Sequence, residues 1–178
     1  MLEESFFGER FIDCNTNKEV KDIFLDENDL ICLYFASSWC PISHSFTEYL
    51  AKDFYDIINK DKHRLEIIYI PVDDNEDFER AIAKMPWLAY NVKDSSCNSF
   101  KEKFKVNLIP ELIILTPDGQ EVSKKGYKEV LLGGTEAFSN WMNHGLDVMR
   151  RDKVEFYKER ERKKKMSMEQ KTGKSLDI

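Results

Sequence analysis

The run LICLYFASSWCPISHSF, residues 30–46, holds two patterns back to back. Leu30 to Ala36 is almost continuously apolar with β-branched and aromatic members, the pattern of a strand covered on both faces and therefore central in a sheet. After Pro41, apolar residues recur at Phe46, Tyr49, Leu50, Phe54, Ile57 and Ile58, a helical spacing, and proline is favoured at a helix's first position. Cys40 therefore stands at a helix N-terminus. A thiol with an ordinary pKa near ~8.5 is a poor nucleophile at neutral pH, but orphan amides and the positive end of the helix dipole favour its thiolate. Trp39 can shield the sulfur, Pro41 fixes the turn into the helix, and His44, one turn on, can lend positive charge when protonated.

Working outward, LEIIYIPV, residues 65–72, is a second buried strand, closed by the acidic turn DDNED and followed by a helix from about Phe78 to Lys84. Strand, helix, strand in this order implies a parallel crossover. Pro86 stops that helix, and Ser95 or Ser96 can cap a short one reaching Phe104. ELIILTPDGQEV then reads as two antiparallel strands around a Pro-Asp-Gly turn, and RFIDCNTNKEVKD as a short N-terminal hairpin turning at Asn15 to Lys18. Thr135, with Phe138 and Trp141 behind it, opens a final helix. The fold class expected is α/β: a central mixed sheet with helices on both faces.

The chain has 178 residues, 42% of them hydrophobic, which suits one domain with a sizeable core. We divide it into a domain over residues 1–149 and a charged helical or disordered tail over 150–178, ending in a disordered GKSLDI. Residues 150–165 hold nine Lys/Arg against four Asp/Glu, and residues 166–178 balance, so the net charge of −6 places −11 on residues 1–149. The basic stretch suits either an acidic partner or a solvated helix with i,i+4 ion pairs. No nucleic-acid-binding motif is present, no apolar run is long enough to span a bilayer, and the N-terminus lacks the order of a secretory signal. The expected location is the cytoplasm, or the nucleus. Cys14, Cys32, Cys40 and Cys97 are too irregularly spaced for a disulfide framework, which fits a reducing compartment, and Cys40 with His44 alone makes no metal site.

The segments FASSWCPIS, AKMPWLAY, FKVNLIPELIIL and TPDGQEV, in this order and at these intervals, resemble the tryparedoxin and nucleoredoxin branch of the thioredoxin superfamily from about Leu30 to His144. MPWLA, Met85 to Ala89, separates this branch from ordinary thioredoxins. The resemblance implies a thioredoxin-like fold, Cys40 as nucleophile, and Ile109-Pro110 as a cis-proline loop whose Ile109 offers backbone hydrogen bonds to an extended substrate. Trp39, Pro41 and Trp87 would shape the surrounding substrate surface. The chain departs from the family pattern at the site itself. Ser43 replaces the second cysteine of the CxxC pair; His44 replaces the usual basic residue; Glu111 stands where a threonine follows the loop proline; and Tyr34 fills the strand position of a buried aspartate.

Ser43 cannot attack a mixed disulfide, but its hydroxyl can donate a hydrogen bond to the Cys40 thiolate. The chemistry left is monothiol exchange on disulfides or glutathionylated protein clients, with an external thiol as reductant and no bound cofactor. A carboxylate at Glu111 pointing inward would oppose the thiolate. Cys97 is the candidate distant resolving thiol, whereas Cys32 reads as core and Cys14 has no evident partner. CxxS also occurs in monothiol glutaredoxins that hold iron–sulfur clusters, but Pro41 and the MPWLA segment argue against that assignment. The alternative, from a different class, is a redox-inactive binding protein that docks a peptide in the groove and an acidic partner on the tail.

Overall fold

The computed structural model describes residues 6–21, 23, 25–72 and 77–172. Its frame is the pair of strands β3 (Leu30–Ala36) and β4 (Leu65–Pro71), every residue of which is buried. They run parallel in register from Leu30 opposite Leu65 to Ala36 opposite Pro71. Both faces are apolar because both are covered. Cys32, Tyr34 and Ala36 share one core with Phe46, Leu50, Phe54 and Trp141. Ile31, Leu33 and Phe35 share the other with Phe7, Cys97 and Phe100.

Around this pair lies one seven-stranded mixed sheet in the order β2-β1-β5-β4-β3-β6-β7. The hairpin β1 (Arg10–Asp13) and β2 (Lys18–Lys21) forms one edge, and Asn17, at φ +51°, makes its turn. The two-residue strand β5 (Leu88–Ala89) joins that hairpin to β4, antiparallel on one side and parallel on the other. On the far side β6 (Glu111–Leu115) runs antiparallel to β3, and β7 (Glu121–Ser123) antiparallel to β6.

Helix α1 (Pro41–Tyr49) continues through a π-helical stretch (Leu50–Tyr55) into a last short turn, α2 (Asp56–Ile58). Helix α3 (Phe78–Ile82) packs in the same core. Helix α4 (Ser95–Lys103) covers the opposite face; its cap is Asp94, which accepts from the Ser96 N–H, rather than Ser95 or Ser96. Helix α5 (Gly126–Gly133) is absent from the sequence reading: it is short, bounded by glycines and has no side-chain cap to announce it. Gly126 sits so close to β6 that a Cβ there would lie 2.5 Å from the Leu112 carbonyl oxygen.

The final helix α6 (Glu136–Thr172) runs unbroken through the expected boundary at residue 149. Ala137, Phe138 and Trp141 bury against the sheet and Gly145 is the last buried residue among those described, every described side chain from Arg150 onward being exposed. The expected i,i+4 pairing is seen there between Lys163 and Glu159 at 3.6 Å. The segment GKSLDI and most of the acidic turn after β4 lie outside the described residues. Since solvated residues contribute little to folding, deletion of residues 150–178 is expected to move the melting temperature by no more than about 2 °C. A larger drop in a calorimetric scan would show that the extension packs on the body.

Candidate functional site

Strand β3 ends at Ala36, and the loop Ser37-Ser38-Trp39 delivers Cys40 as the N-cap of α1, in an extended conformation with Pro41 at the first helical position. The His44 N–H donates to the Cys40 carbonyl at 3.1 Å, closing the first turn. Cys40 is 8% exposed. Burial works against its thiolate, but the Ser43 hydroxyl and the N–H groups of Ser43 and Ile42 outweigh it and hold the thiol below its ordinary value. No disulfide forms, and the other three thiols go the opposite way. Burial, the foremost cause in each, raises Cys14 and Cys32 and pushes Cys97 up to about 12.

Ser43 is 2% exposed, and its hydroxyl makes no hydrogen bond of ordinary geometry in the resting arrangement. A buried hydroxyl without a fixed partner is costly, and it is tolerable where it can turn to a nearby sulfur when that ionises. Beneath it, Tyr34 is fully buried, its hydroxyl 3.2 Å from the Ser43 carbonyl and 2.9 Å from Thr47 Oγ1. Sequence reasoning noticed Tyr34 only as a departure from a buried acid and did not single out Thr47. Position 47, one helical turn beyond Ser43, was the available signal.

The loop before β6 comes to the same end of the sheet. Phe35 pairs with Glu111, so Pro110 falls opposite Ala36, and the Ile109–Pro110 peptide is cis. Pro110 is buried, Ile109 half-buried and Leu108 78% exposed. Trp39, at 60%, and Ile42, at 58%, are also exposed, so large apolar side chains stand in solvent on both sides of Cys40 in the chain. Leu108 and Ile42 were not singled out from sequence, because exposed apolar residues look like core residues until the sheet is assembled.

The structure gives four further candidate residues, Trp87, His44, Glu111 and Cys97, settings that sequence alone did not reveal. Trp87 is not on the substrate surface: at 2% exposure it is sealed in the core, edge-on to Tyr34 and Tyr55. His44 turns its Nε2 to the Ser38 carbonyl at 2.5 Å and lines a cleft of about 420 Å³ with Glu48, Arg80 and Lys84. Glu111 is half-buried, and that burial raises its carboxyl above the usual value. Cys97 lies in the core on the face of the sheet opposite α1 and donates to the Asn91 carbonyl, out of reach of Cys40.

Among the described residues no group of His, Cys, Asp or Glu side chains could hold a metal ion, and no helix is long and apolar enough to cross a membrane. Residues 28–121 match the profile of the family described as Thioredoxin-like. The probable nucleoredoxin 3 of Arabidopsis thaliana is 35% identical over 109 residues, 61% of this chain and 28% of that protein. The chain thus spans about a quarter of the length of such curated relatives. Native tryparedoxin I from Crithidia fasciculata superposes with a TM-score of 0.61 at 30% identity, over 71% of this chain and 87% of that one. Tryparedoxin II complexed with glutathionylspermidine gives a TM-score of 0.59 at 26% identity, over 72% and 88%. Proteins of this fold that act as oxidoreductases need no bound cofactor and use thiol reductants. With more than half its length matching the profile, the chain belongs to the thioredoxin-like family, on the branch shared by nucleoredoxins and tryparedoxins.

Proposed function

We propose that the chain is a monothiol thiol-disulfide oxidoreductase of a reducing, cytoplasmic or nuclear compartment, acting on disulfides or glutathionylated protein clients. On a glutathionylated client, the Cys40 thiolate attacks the glutathione sulfur; a Cys40–glutathione disulfide forms, the client's S–S bond breaks, and the client leaves as thiolate, taking its proton from solvent. A second glutathione thiolate then attacks the glutathione sulfur of that mixed disulfide, releasing oxidised glutathione and restoring the Cys40 thiolate. Ser43 and the first-turn amides stabilise the thiolate in both steps. Trp39, Pro41, Ile109 and Pro110 form the surface for an extended client segment, with Ile109 offering its backbone.

The observation that carries this reading is the contrast among the four thiols: only Cys40 has its pKa lowered, and it is the one at the helix N-terminus. In a pH series with iodoacetamide, followed by mass mapping, label is expected on Cys40 with an inflection below that of a free thiol, about 8.5. At pH 7 it should react several-fold faster than free cysteine. A rate no faster than free cysteine would favour the second reading, a redox-inactive module that docks a peptide through the exposed Trp39, Ile42 and Leu108 and an acidic partner through the exposed basic face of α6.

A further inference from the structure

Ser43 is fixed through its carbonyl, while its hydroxyl has no hydrogen-bond partner among the described residues and can turn to the sulfur. Its hydroxyl and N–H act on Cys40, while its carbonyl faces the Tyr34 hydroxyl at 3.2 Å. A phenol has one proton, and Tyr34 has two oxygen neighbours, the Ser43 carbonyl and Thr47 Oγ1. A carbonyl can only accept. Both contacts are satisfied together only if Tyr34 donates to the Ser43 carbonyl and Thr47 donates to the Tyr34 oxygen.

The phenol is itself fixed. Tyr34 lies in β3 with paired strands on both sides, and its ring meets Phe46, Tyr69 and Trp87 at centroid distances of 5.8, 6.2 and 6.1 Å. The hydroxyl is close enough to Cys40 for the two to feel each other's charge. A rigid donor rooted in the central strand therefore grips the residue whose other polar groups determine the state of the sulfur.

We propose that Tyr34 is a positioning residue for Cys40: its hydroxyl, through the Ser43 carbonyl, holds the first turn of α1 in the orientation that aims the Ser43 hydroxyl and amide at the sulfur. This role rests on the monothiol reading and deepens it. It needs no proton transfer from Tyr34, whose own ionisation is suppressed by burial. The other titratable groups around this corner are Tyr127 on α5, Glu111 on β6 and His44 on α1, and the last is committed to the Ser38 carbonyl. None of them bonds the Ser43 carbonyl among the described residues, so none substitutes for the lost contact.

The test is the alkylation pH profile of Cys40 in Tyr34→Phe, which keeps the ring and removes the donor. The inflection is expected to move up, and the rate at pH 6.5 to fall about threefold to tenfold, since below the pKa each unit of rise costs a tenfold drop in thiolate. The two profiles should converge at high pH. Thr47→Val removes a bond to Tyr34 but leaves Tyr34 its proton for Ser43, so it is expected to lower thermal stability and leave the inflection in place. In wild type, the Tyr34 ring resonances should titrate with the Cys40 inflection, a readout that holds even if Tyr34→Phe does not fold. A depressed wild-type inflection that Tyr34→Phe leaves unmoved, or wild-type ring resonances indifferent to it, overturns the positioning role alone. A wild-type inflection at the free-thiol value overturns the monothiol reading and this role with it.

Discussion

Ser43→Cys should gain the ability to reduce insulin with a dithiol donor, which the wild-type chain lacks above the donor's own background rate. The expectation follows from where the serine is. Its side chain is sealed against the first turn of α1, close enough to Cys40 to help hold the thiol down, and nothing else claims its oxygen. A sulfur in that place meets Cys40 as a resolving thiol, and the second step of exchange becomes intramolecular. Orientation alone is then worth orders of magnitude over attack by an outside thiol, so a rise of roughly a hundredfold above wild type is expected. No other cysteine can already fill this role, because Cys14 and Cys32 are buried with raised pKa values and Cys97 lies across the sheet. The measurement is the turbidity lag with dithiothreitol, with mass spectrometry of the oxidised variant to detect the loss of two hydrogen atoms that accompanies disulfide formation. A folded variant that forms the internal disulfide but does not reduce insulin would mean that the groove no longer receives a client, and the binding-module reading would take over.

The parts of this fold that sequence pattern revealed are those where one local rule decides the outcome. Seven consecutive buried residues in β3 and again in β4 announce central strands because no alternation is needed where both faces are covered. Pro41 marks the start of α1, and the Pro-Asp-Gly turn joins β6 to β7, because proline and glycine act through their own backbone. Elements whose existence depends on distant partners were invisible: β5 has two residues and forms because β1 and β4 flank it. The chemistry divides the same way. Cys40 at a helix start is a local fact. The direction in which His44 turns, the burial of Glu111 and the grip of Tyr34 on the Ser43 carbonyl are settled by what the assembled sheet places beside them.

Trp87 is where the local pattern and the assembled structure part most clearly, and it gives the largest expected loss of stability. The resemblance put it on the substrate surface, but its ring stands in the core at 2% exposure, edge-on to Tyr34 at 6.1 Å and Tyr55 at 5.4 Å. Deleting such a ring leaves a cavity that the rigid parallel strands cannot close, so Trp87→Ala is expected to cost about 3–5 kcal/mol, a fall in melting temperature on the order of 10 °C. Trp87→Phe is a sharper probe. The indole Nε1 has no hydrogen-bond partner among the described residues, and a buried unpaired N–H carries a desolvation penalty of about 1–3 kcal/mol. Phenylalanine discards that N–H together with some packing, so the two effects oppose each other and the loss should be less than half that of the alanine variant. Because Trp87 is not among the groups that set the state of Cys40, the folded Trp87→Phe protein should keep the wild-type alkylation profile and capture the same clients. If it keeps its stability but captures clients poorly, the indole reaches the groove in solution and the substrate surface is larger than Trp39, Pro41, Ile109 and Pro110 describe.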